Sequence, residues 1–496
     1  MPKKRKQIVP PPRTAAPKFA SLNVGGGQKL LKDLLALFSG QLLSMLIGFV
    51  TFAYLARVMA PESYGTIEFA IALTAFATIV IEGGVGIIGV REISRNRQQA
   101  SKIAAQVVTA RVLVGIVVIP LVGFSATFTG QTAAVQTMVW LFAISLIAIP
   151  FKQDWLLQGF ERMGPVALAH PIRTLMLAAG ILLFVRGDDD LILVGIAEVV
   201  SVFTVIIYVL AAQYVLTVKF DFRWRFVEAL HFLAAGFSVG LSNMIWALML
   251  YAPMVLLAVL VGGDDPAWLG AAQRIVISLM TMSAIYHFNI YPVIARSLHG
   301  NREVWLRLSQ ASIRLVAWVG FGGALVVTLL SPWLMPKIFG EPFSVSAPVL
   351  AVLIWAVPLR MLSDHARWSL IAVGRQGAVL IAETVGATVL VAVGVFLIPT
   401  YMAGGAALAL VSGILAGGIV LFLQAEKFVG GMRIVRNIAL PLLAASGATG
   451  VATLMADGAV HRTLFGSGLY VVIGVFAIRG LLTDFRILVN AKSAPN

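Results

Sequence analysis

From Leu34 onward the chain alternates long apolar stretches with short polar punctuation. Leu34 to Ala56 carries no charge over about 23 residues, enough for roughly 34 Å of helix at about 1.5 Å per residue. A turn follows, Arg57-Val58-Met59-Ala60-Pro61-Glu62-Ser63-Tyr64-Gly65, punctuated by Pro and Gly. Thr66 to Val90 is a second apolar stretch, ending in the basic run Arg91-Glu92-Ile93-Ser94-Arg95-Asn96-Arg97. Read with a window of about 19 residues, the pattern predicts fourteen helices at 34–56, 66–90, 102–126, 133–153, 166–186, 191–214, 232–261, 268–294, 310–336, 346–370, 376–398, 404–426, 437–456 and 463–482. The seventh is long for one span, so it is expected to tilt or to begin as an interfacial segment. The runs are continuously apolar and do not alternate, which argues against a β-barrel.

Composition agrees. Of 496 residues 59% are hydrophobic and 12% charged, against about 25% charged in soluble domains. With a mean hydropathy of +0.93, the expected class is an all-α polytopic membrane protein. The net charge of +15 would suggest nucleic acid in a soluble protein. Here nearly all Lys and Arg fall on one side of the predicted topology, the side of the N-terminus. The exceptions are Arg57, Arg186, Arg274, Lys337 and Arg462 on the other side and Arg111 inside helix 3. Both termini are therefore expected in the cytoplasm, with an even number of spans. Residues 1–32, with Lys3-Lys4-Arg5-Lys6, Pro10-Pro11-Pro12 and Gly25-Gly26-Gly27, read as a disordered basic tail that meets anionic lipid and not nucleic acid.

A faint repeat relates the halves. Phe38-Ser39 opens helix 1 and Phe237-Ser238 lies early in helix 7; helix 1 leads to Tyr64-Gly65 and helix 7 to Leu269-Gly270. The expected organisation is a six-helix N-lobe (33–216), an interfacial linker (217–231), a six-helix C-lobe in the same orientation (232–426), a second linker (427–436), and two further helices with a tail (437–496).

Four stretches carry a family resemblance. Ala56-Arg57-Val58-Met59-Ala60-Pro61-Glu62-Ser63-Tyr64-Gly65, Val90-Arg91-Glu92-Ile93-Ser94-Arg95, Asp154-Trp155-Leu156-Leu157-Gln158-Gly159-Phe160-Glu161-Arg162-Met163, and Ala271-Ala272-Gln273-Arg274-Ile275 with Tyr291-Pro292-Val293-Ile294 occur in this order. Together they resemble the Wzx-like polysaccharide flippases of the multidrug/oligosaccharidyl-lipid/polysaccharide exporter superfamily. Met59-Ala60 departs from the Leu-Gly frequent at that place. The resemblance implies two lobes around a central cavity and movement of an undecaprenyl-diphosphate-linked oligosaccharide across the bacterial inner membrane. It also implies work beside a polysaccharide polymerase. The Ser-Arg and Arg-Asp pairs of the first helix of lipid II flippases are absent, which weighs against that sister branch. The other alternative is a cation-coupled small-molecule (multidrug) antiporter of the same fold.

Charges inside a bilayer are candidates for function. Arg111, about nine residues into helix 3, is read as facing the lumen against a phosphate or acidic sugar, or else pairing with Glu82. Arg360, Asp364 and Arg367 share one face of helix 10. Arg274, near one end of helix 8, is expected to snorkel. Asn243, Trp246 and Gln273 are candidates for sugar contact, in a region also rich in Tyr251, Tyr286, His287, Asn289 and Tyr291. Glu82 and Glu383 are candidates for ion coupling, and Glu68, Glu198 and Glu383 read as carboxylates without a visible partner. No cofactor or metal is called for: Cys is absent and no second ligand stands at helical spacing from His287. Nor is an enzyme suggested. Gly236-Phe237-Ser238-Val239-Gly240 matches a nucleophile elbow only in letters, since it lies in an apolar helix. Those glycines, like Gly413 and Gly417, read as close helix packing. No Walker A sequence is present, and a membrane-bound glycosyltransferase would need a large carboxylate-bearing loop that the short connections do not provide.

Overall fold

The computed structural model describes the backbone of residues 24–216, 223–299, 302–475, 477, 480–484 and 487, with side chains from Leu37 onward except at 284–285, 288–296 and 298–299. The tail before residue 24 and the linker residues 217–222 lie outside it, as do the side chains of Asn289 and Tyr291. Among the described residues the chain is helical throughout, with no strand. Eleven helical segments among the described residues are long and apolar enough to cross a membrane, so this is a multi-pass α-helical membrane protein.

The helices are α1 (Val24–Val58), α2 (Pro61–Glu82), α3 (Val85–Arg95), α4 (Ala100–Phe128), α5 (Ala133–Ser145), α6 (Asp154–Gly159), α7 (Met163–Phe184), α8 (Leu191–Leu216), α9 (Phe226–Leu260), α10 (Asp265–His299), α11 (Arg302–Phe339), α12 (Ser346–Leu353), α13 (Ala356–Ala372), α14 (Gln376–Phe428), α15 (Ile434–Met455) and α16 (Ala459–Val475). Each of the fourteen stretches expected from hydropathy overlaps a helical segment. Several differ in detail. α1 begins at Val24, so Gly25-Gly26-Gly27 is helical and not part of a coil. The stretch 66–90 is two helices, because Gly83 and Gly84 both adopt positive φ (53° and 72°) and end α2. The stretch 133–153 passes from α5 into a 3-10 turn at Leu146–Phe151 that contains Pro150. α14 is two arms that meet at Met402, whose φ of 50° and ψ of −128° are non-helical.

Packing sorts α1–α8 from α9–α14. In the first group α1 lies on α7, α7 on α8, α5 on α8 and α4 on α5; in the second α9 lies on α14, α13 on α14 and α10 on α13. α15 and α16 dock on α11, where the Tyr470 hydroxyl donates to the Trp318 carbonyl at 2.8 Å and Arg314 pairs with Asp484. The groups meet mainly along α2, which packs on both α9 and α10.

Both ends of α2 show how. At one end a Cβ on Gly65 would lie 2.9 Å from the Ala267 amide nitrogen, and one on Gly270 only 2.4 Å from Glu68 Cγ. The two glycines that the internal repeat equates thus each take the partner helix against bare backbone. Beside them Arg57 donates to the carbonyls of Ile338 (2.9 Å) and Lys337 (2.5 Å) on α11. At the opposite end Gly84 meets Gly236 and Gly240 of α9, with a would-be Cβ 2.7 Å from the Gly236 oxygen and the Gly240 nitrogen. Gly236 and Gly240 therefore serve close packing, as do Gly413 and Gly417 against Gly386 and Ala382.

Candidate functional site

A cavity of about 830 Å³ opens in the first helical group. Its wall comes from α1, α2, α5 with its 3-10 continuation, α7 and α8, and it is closed by Tyr251 of α9 and Arg274 of α10. The size suits a substantial polar ligand. Most of the wall is apolar, and its charged groups are Lys152, Arg173 and Arg274 against Asp154 and Glu198, with His170 and Gln41 beside them.

Each cation has a different freedom. Arg274 is held: its Nε and Nη2 donate to the two oxygens of Glu68 at 2.9 and 3.0 Å, and its guanidinium lies 3.5 Å from the centre of the Phe52 ring. The expectation that Arg274 snorkels is thereby corrected, since a carboxylate on α2 satisfies it inside the protein. Lys152 Nζ pairs with Glu82 at 3.0 Å and Asp154 at 3.6 Å. Arg173, a lining residue, donates to Glu198 through Nη2, with no other bond to its guanidinium among the described residues. Its side chain is 38% exposed whereas that of Glu198 is 8% exposed. His170 stands one turn earlier on α7, with Nδ1 3.3 Å from the Thr174 hydroxyl.

Arg111 does not reach this wall. It is buried behind Lys152, donating from Nη1 to the Lys152 carbonyl at 2.7 Å and lying against Gly86. Glu82 turns to Lys152 and not to Arg111. Gln273 is buried and reaches the Leu250 carbonyl at 3.5 Å, while Asn243 is exposed on α9.

The remaining candidates form a second cluster in the other helical group. Arg360 pairs with Asp364 at 3.1 Å and approaches Glu383 at 3.9 Å; Arg367 pairs with Glu383 at 3.3 Å and approaches Asp364 at 4.0 Å. The Arg360 guanidinium covers the Trp246 ring at 3.8 Å. Two cations and two carboxylates thus balance one another. The carboxylates that lacked a visible partner in sequence, Glu68, Glu198 and Glu383, each have one in the fold. Among the described residues no group of three His, Cys, Asp or Glu side chains is arranged to hold a metal.

Sequence reasoning missed Arg173 and Lys152 as wall residues. Both were absorbed into the basic helix ends of the charge count. A cation seven residues into a predicted span, as Arg173 is, was the available signal.

The sequence profile of the polysaccharide biosynthesis protein family matches residues 30–298, more than half of the chain. A protein of Escherichia coli (strain K12) named for O-antigen transport is 22% identical over 320 residues, covering 63% of this chain and 76% of that protein. Among solved structures, the lipid II flippase MurJ in an inward closed conformation aligns over 90% of this chain and all of its own, with a TM-score of 0.74 and 13% identity. An inward-facing multidrug resistance transporter of the same superfamily aligns over 82% of this chain and 98% of its own, with a TM-score of 0.62 and 16% identity. At such identities the structures establish the fold, which flippases and drug exporters share. The profile match shows that the chain belongs to the polysaccharide biosynthesis protein family, and the structures show that it has the fold shared by the multidrug/oligosaccharidyl-lipid/polysaccharide exporter superfamily.

Proposed function

We propose that this protein moves an undecaprenyl-diphosphate-linked oligosaccharide from the cytoplasmic to the periplasmic leaflet of a bacterial inner membrane, with both termini cytoplasmic. The observation that carries the reading is Arg173 on the cavity wall, 38% exposed and paired through a single nitrogen with Glu198, whereas Lys152 and Arg274 are neutralised by Glu82, Asp154 and Glu68. A guanidinium presents paired N–H groups that match phosphate oxygens. Arg173 takes the diphosphate in exchange for Glu198. Lys152, also on the wall, adds a second donor when it exchanges Glu82 or Asp154 for a phosphate oxygen. Tyr251, His170 and Gln41 offer ring and hydrogen-bonding surface to the sugars. The lipid tail stays in the bilayer while the head group crosses, and the two helical groups rock about α2. That both ends of α2 are joined to the other group supports reading the described arrangement as a closed state. Membrane lipids are the surrounding partner, and a polysaccharide polymerase is the protein expected to receive the product.

The test is Arg173→Ala in cells, with protein level checked, scoring surface polysaccharide and the leaflet of the lipid-linked precursor. Precursor held on the cytoplasmic side is the expected result. An unchanged precursor distribution, both in this variant and on deletion of the whole chain, would overturn the proposal.

A further inference from the structure

Away from the cavity, where α14 ends and α15 begins, cations from three separate connections meet around one aromatic ring. The Arg375 guanidinium, in the turn between α13 and α14, lies 4.4 Å from the centre of the Phe428 ring. Lys427 Nζ, in the last turn of α14, lies 5.4 Å from the same centre. Arg302, which opens α11, donates from Nη2 to the Val429 carbonyl at 3.0 Å. The segment that joins α14 to α15 is fixed in place. Gly430 and Gly431 take positive φ (73° and 83°), the Gln310 amide donates to the Gly431 carbonyl at 2.7 Å, and the Gly431 N–H donates to Glu426 at 2.9 Å.

All three cations are exposed, and among the described residues none of them has a carboxylate partner. The one polar contact in the set is that of Arg302 with Val429, and the Glu426 carboxylate is taken by the Gly431 N–H. In these connections and the turns beside them Arg302, Arg307, Arg375, Lys427, Arg433 and Arg436 stand against Glu303 and Glu426. Arginines in the connections of the first helical group are different: Arg91 and Arg95 reach Glu92 at 3.1 and 3.6 Å, Arg97 reaches Glu161 at 3.6 Å, and Arg225 reaches Glu228 at 3.2 Å. Like charges gathered on one ring repel unless an anion lies between them, and the ring face offsets only part of that. The arm of α14 from Met402 to Phe428 is about 40 Å long at about 1.5 Å per residue, the thickness of a bilayer with its headgroups, so its end lies at headgroup level. Leu423, one turn before Lys427, and Val435, beside Arg436, are exposed apolar residues.

We propose that Arg302, Arg375 and Lys427 form a binding site for the phosphate of an anionic phospholipid, with its acyl chains along the exposed apolar side chains of α14 and α15. The two guanidinium groups present N–H donors that match phosphate oxygens, and Lys427 adds a point charge. A zwitterionic headgroup brings its own ammonium against the same cations and is the weaker ligand, while free phosphate lacks the chains. The bound lipid joins the start of α11, the turn between α13 and α14 and the end of α14, three elements that otherwise meet here only through the Val429 carbonyl and the Phe428 ring. Because it binds the folded arrangement of these elements, it raises the stability of the protein.

The test uses the full-length protein purified in detergent and mixed with dioleoyl phosphatidylglycerol or dioleoyl phosphatidylcholine. Native mass spectrometry counts the lipid retained, and thermal unfolding is followed in parallel. Phosphatidylglycerol should be retained and should raise the unfolding midpoint, and phosphatidylcholine should do neither. Arg375→Gln/Lys427→Gln, both at exposed positions, should weaken phosphatidylglycerol binding roughly fivefold for each cation removed. Arg375→Lys/Lys427→Arg, which keeps both charges, should retain it. Arg91→Gln/Arg95→Gln, which removes the same charge from the paired arginines of α3, should leave it unchanged. Equal retention of the two lipids, full binding by the Arg375→Gln/Lys427→Gln variant, or an equal loss in the Arg91→Gln/Arg95→Gln variant would overturn the proposal. So would inorganic phosphate that raises the midpoint as far as the lipid does, since the ion alone would then fill the site. No glycan enters the experiment, so its outcome is independent of the transported substrate.

Discussion

Gly240→Ala places one methyl group where α9 crosses the Gly83–Gly84 break. The new Cβ would lie 2.6 Å from the Gly83 oxygen and 2.8 Å from its carbonyl carbon. Real Cβ contacts begin near 3.0 Å, and the neighbour is backbone, so the helices must part by several tenths of an ångström. Gly240 lies within α9, where alanine is favoured over glycine, so the local helix is not weakened. The cost therefore falls on the contact between the two helical groups. Overpacking of this kind costs about 1–3 kcal/mol, which lowers the ratio of closed to open molecules roughly fivefold to 150-fold. Labels at Ile87→Cys on α3 and Val227→Cys on α9, both exposed, report the separation by pulsed dipolar spectroscopy. Gly240→Ala should move population to longer distances while thermal stability stays nearly unchanged. An unchanged distance distribution would refute the claim that this crossing holds the closed state.

Other substitutions probe the charged pairs and the strained turn. Glu68→Gln removes the carboxylate partner of Arg274 inside the protein; breaking a buried pair from one side costs about 3–5 kcal/mol, which should appear as a lower unfolding midpoint in detergent, with Arg274→Met/Glu68→Gln recovering part of the loss. Met402→Gly relieves a left-handed φ of 50° and should raise the unfolding midpoint by an amount equivalent to about 1 kcal/mol; an unchanged midpoint would mean that the turn between the arms of α14 carries no strain.

How much of this was legible before the fold follows from where the information lies. Apolar runs and charge placement are local, and they predicted every span. The face shared by Arg360, Asp364 and Arg367 was legible for the same reason, because spacings of three, four and seven are fixed by the helix itself. The Arg274–Glu68 pair joins residues 206 positions apart, and no local pattern announces it. Gly83-Gly84 fall inside the single span expected at 66–90; their left-handed conformation is bound up with the close approach of Gly236 and Gly240 from another part of the chain. Arg111 drew attention by its depth, yet depth does not distinguish a cavity wall from the packing behind it. Arg173, nearer to a basic helix end, was hidden by the same count from which the topology was inferred.

The central claim is most directly tested by reconstitution. Purified protein is placed in proteoliposomes carrying an undecaprenyl-diphosphate-linked oligosaccharide, and an impermeant glycosidase reads how much glycan reaches the outer leaflet. With the unsubstituted protein essentially all of the glycan should become accessible. Arg173→Ala should slow the approach roughly tenfold to 150-fold, the equivalent of one charged hydrogen-bonding partner at about 1.5–3 kcal/mol. Glycan that stays protected in the presence of the unsubstituted protein, or flipping by Arg173→Ala at the unsubstituted rate, would contradict the account.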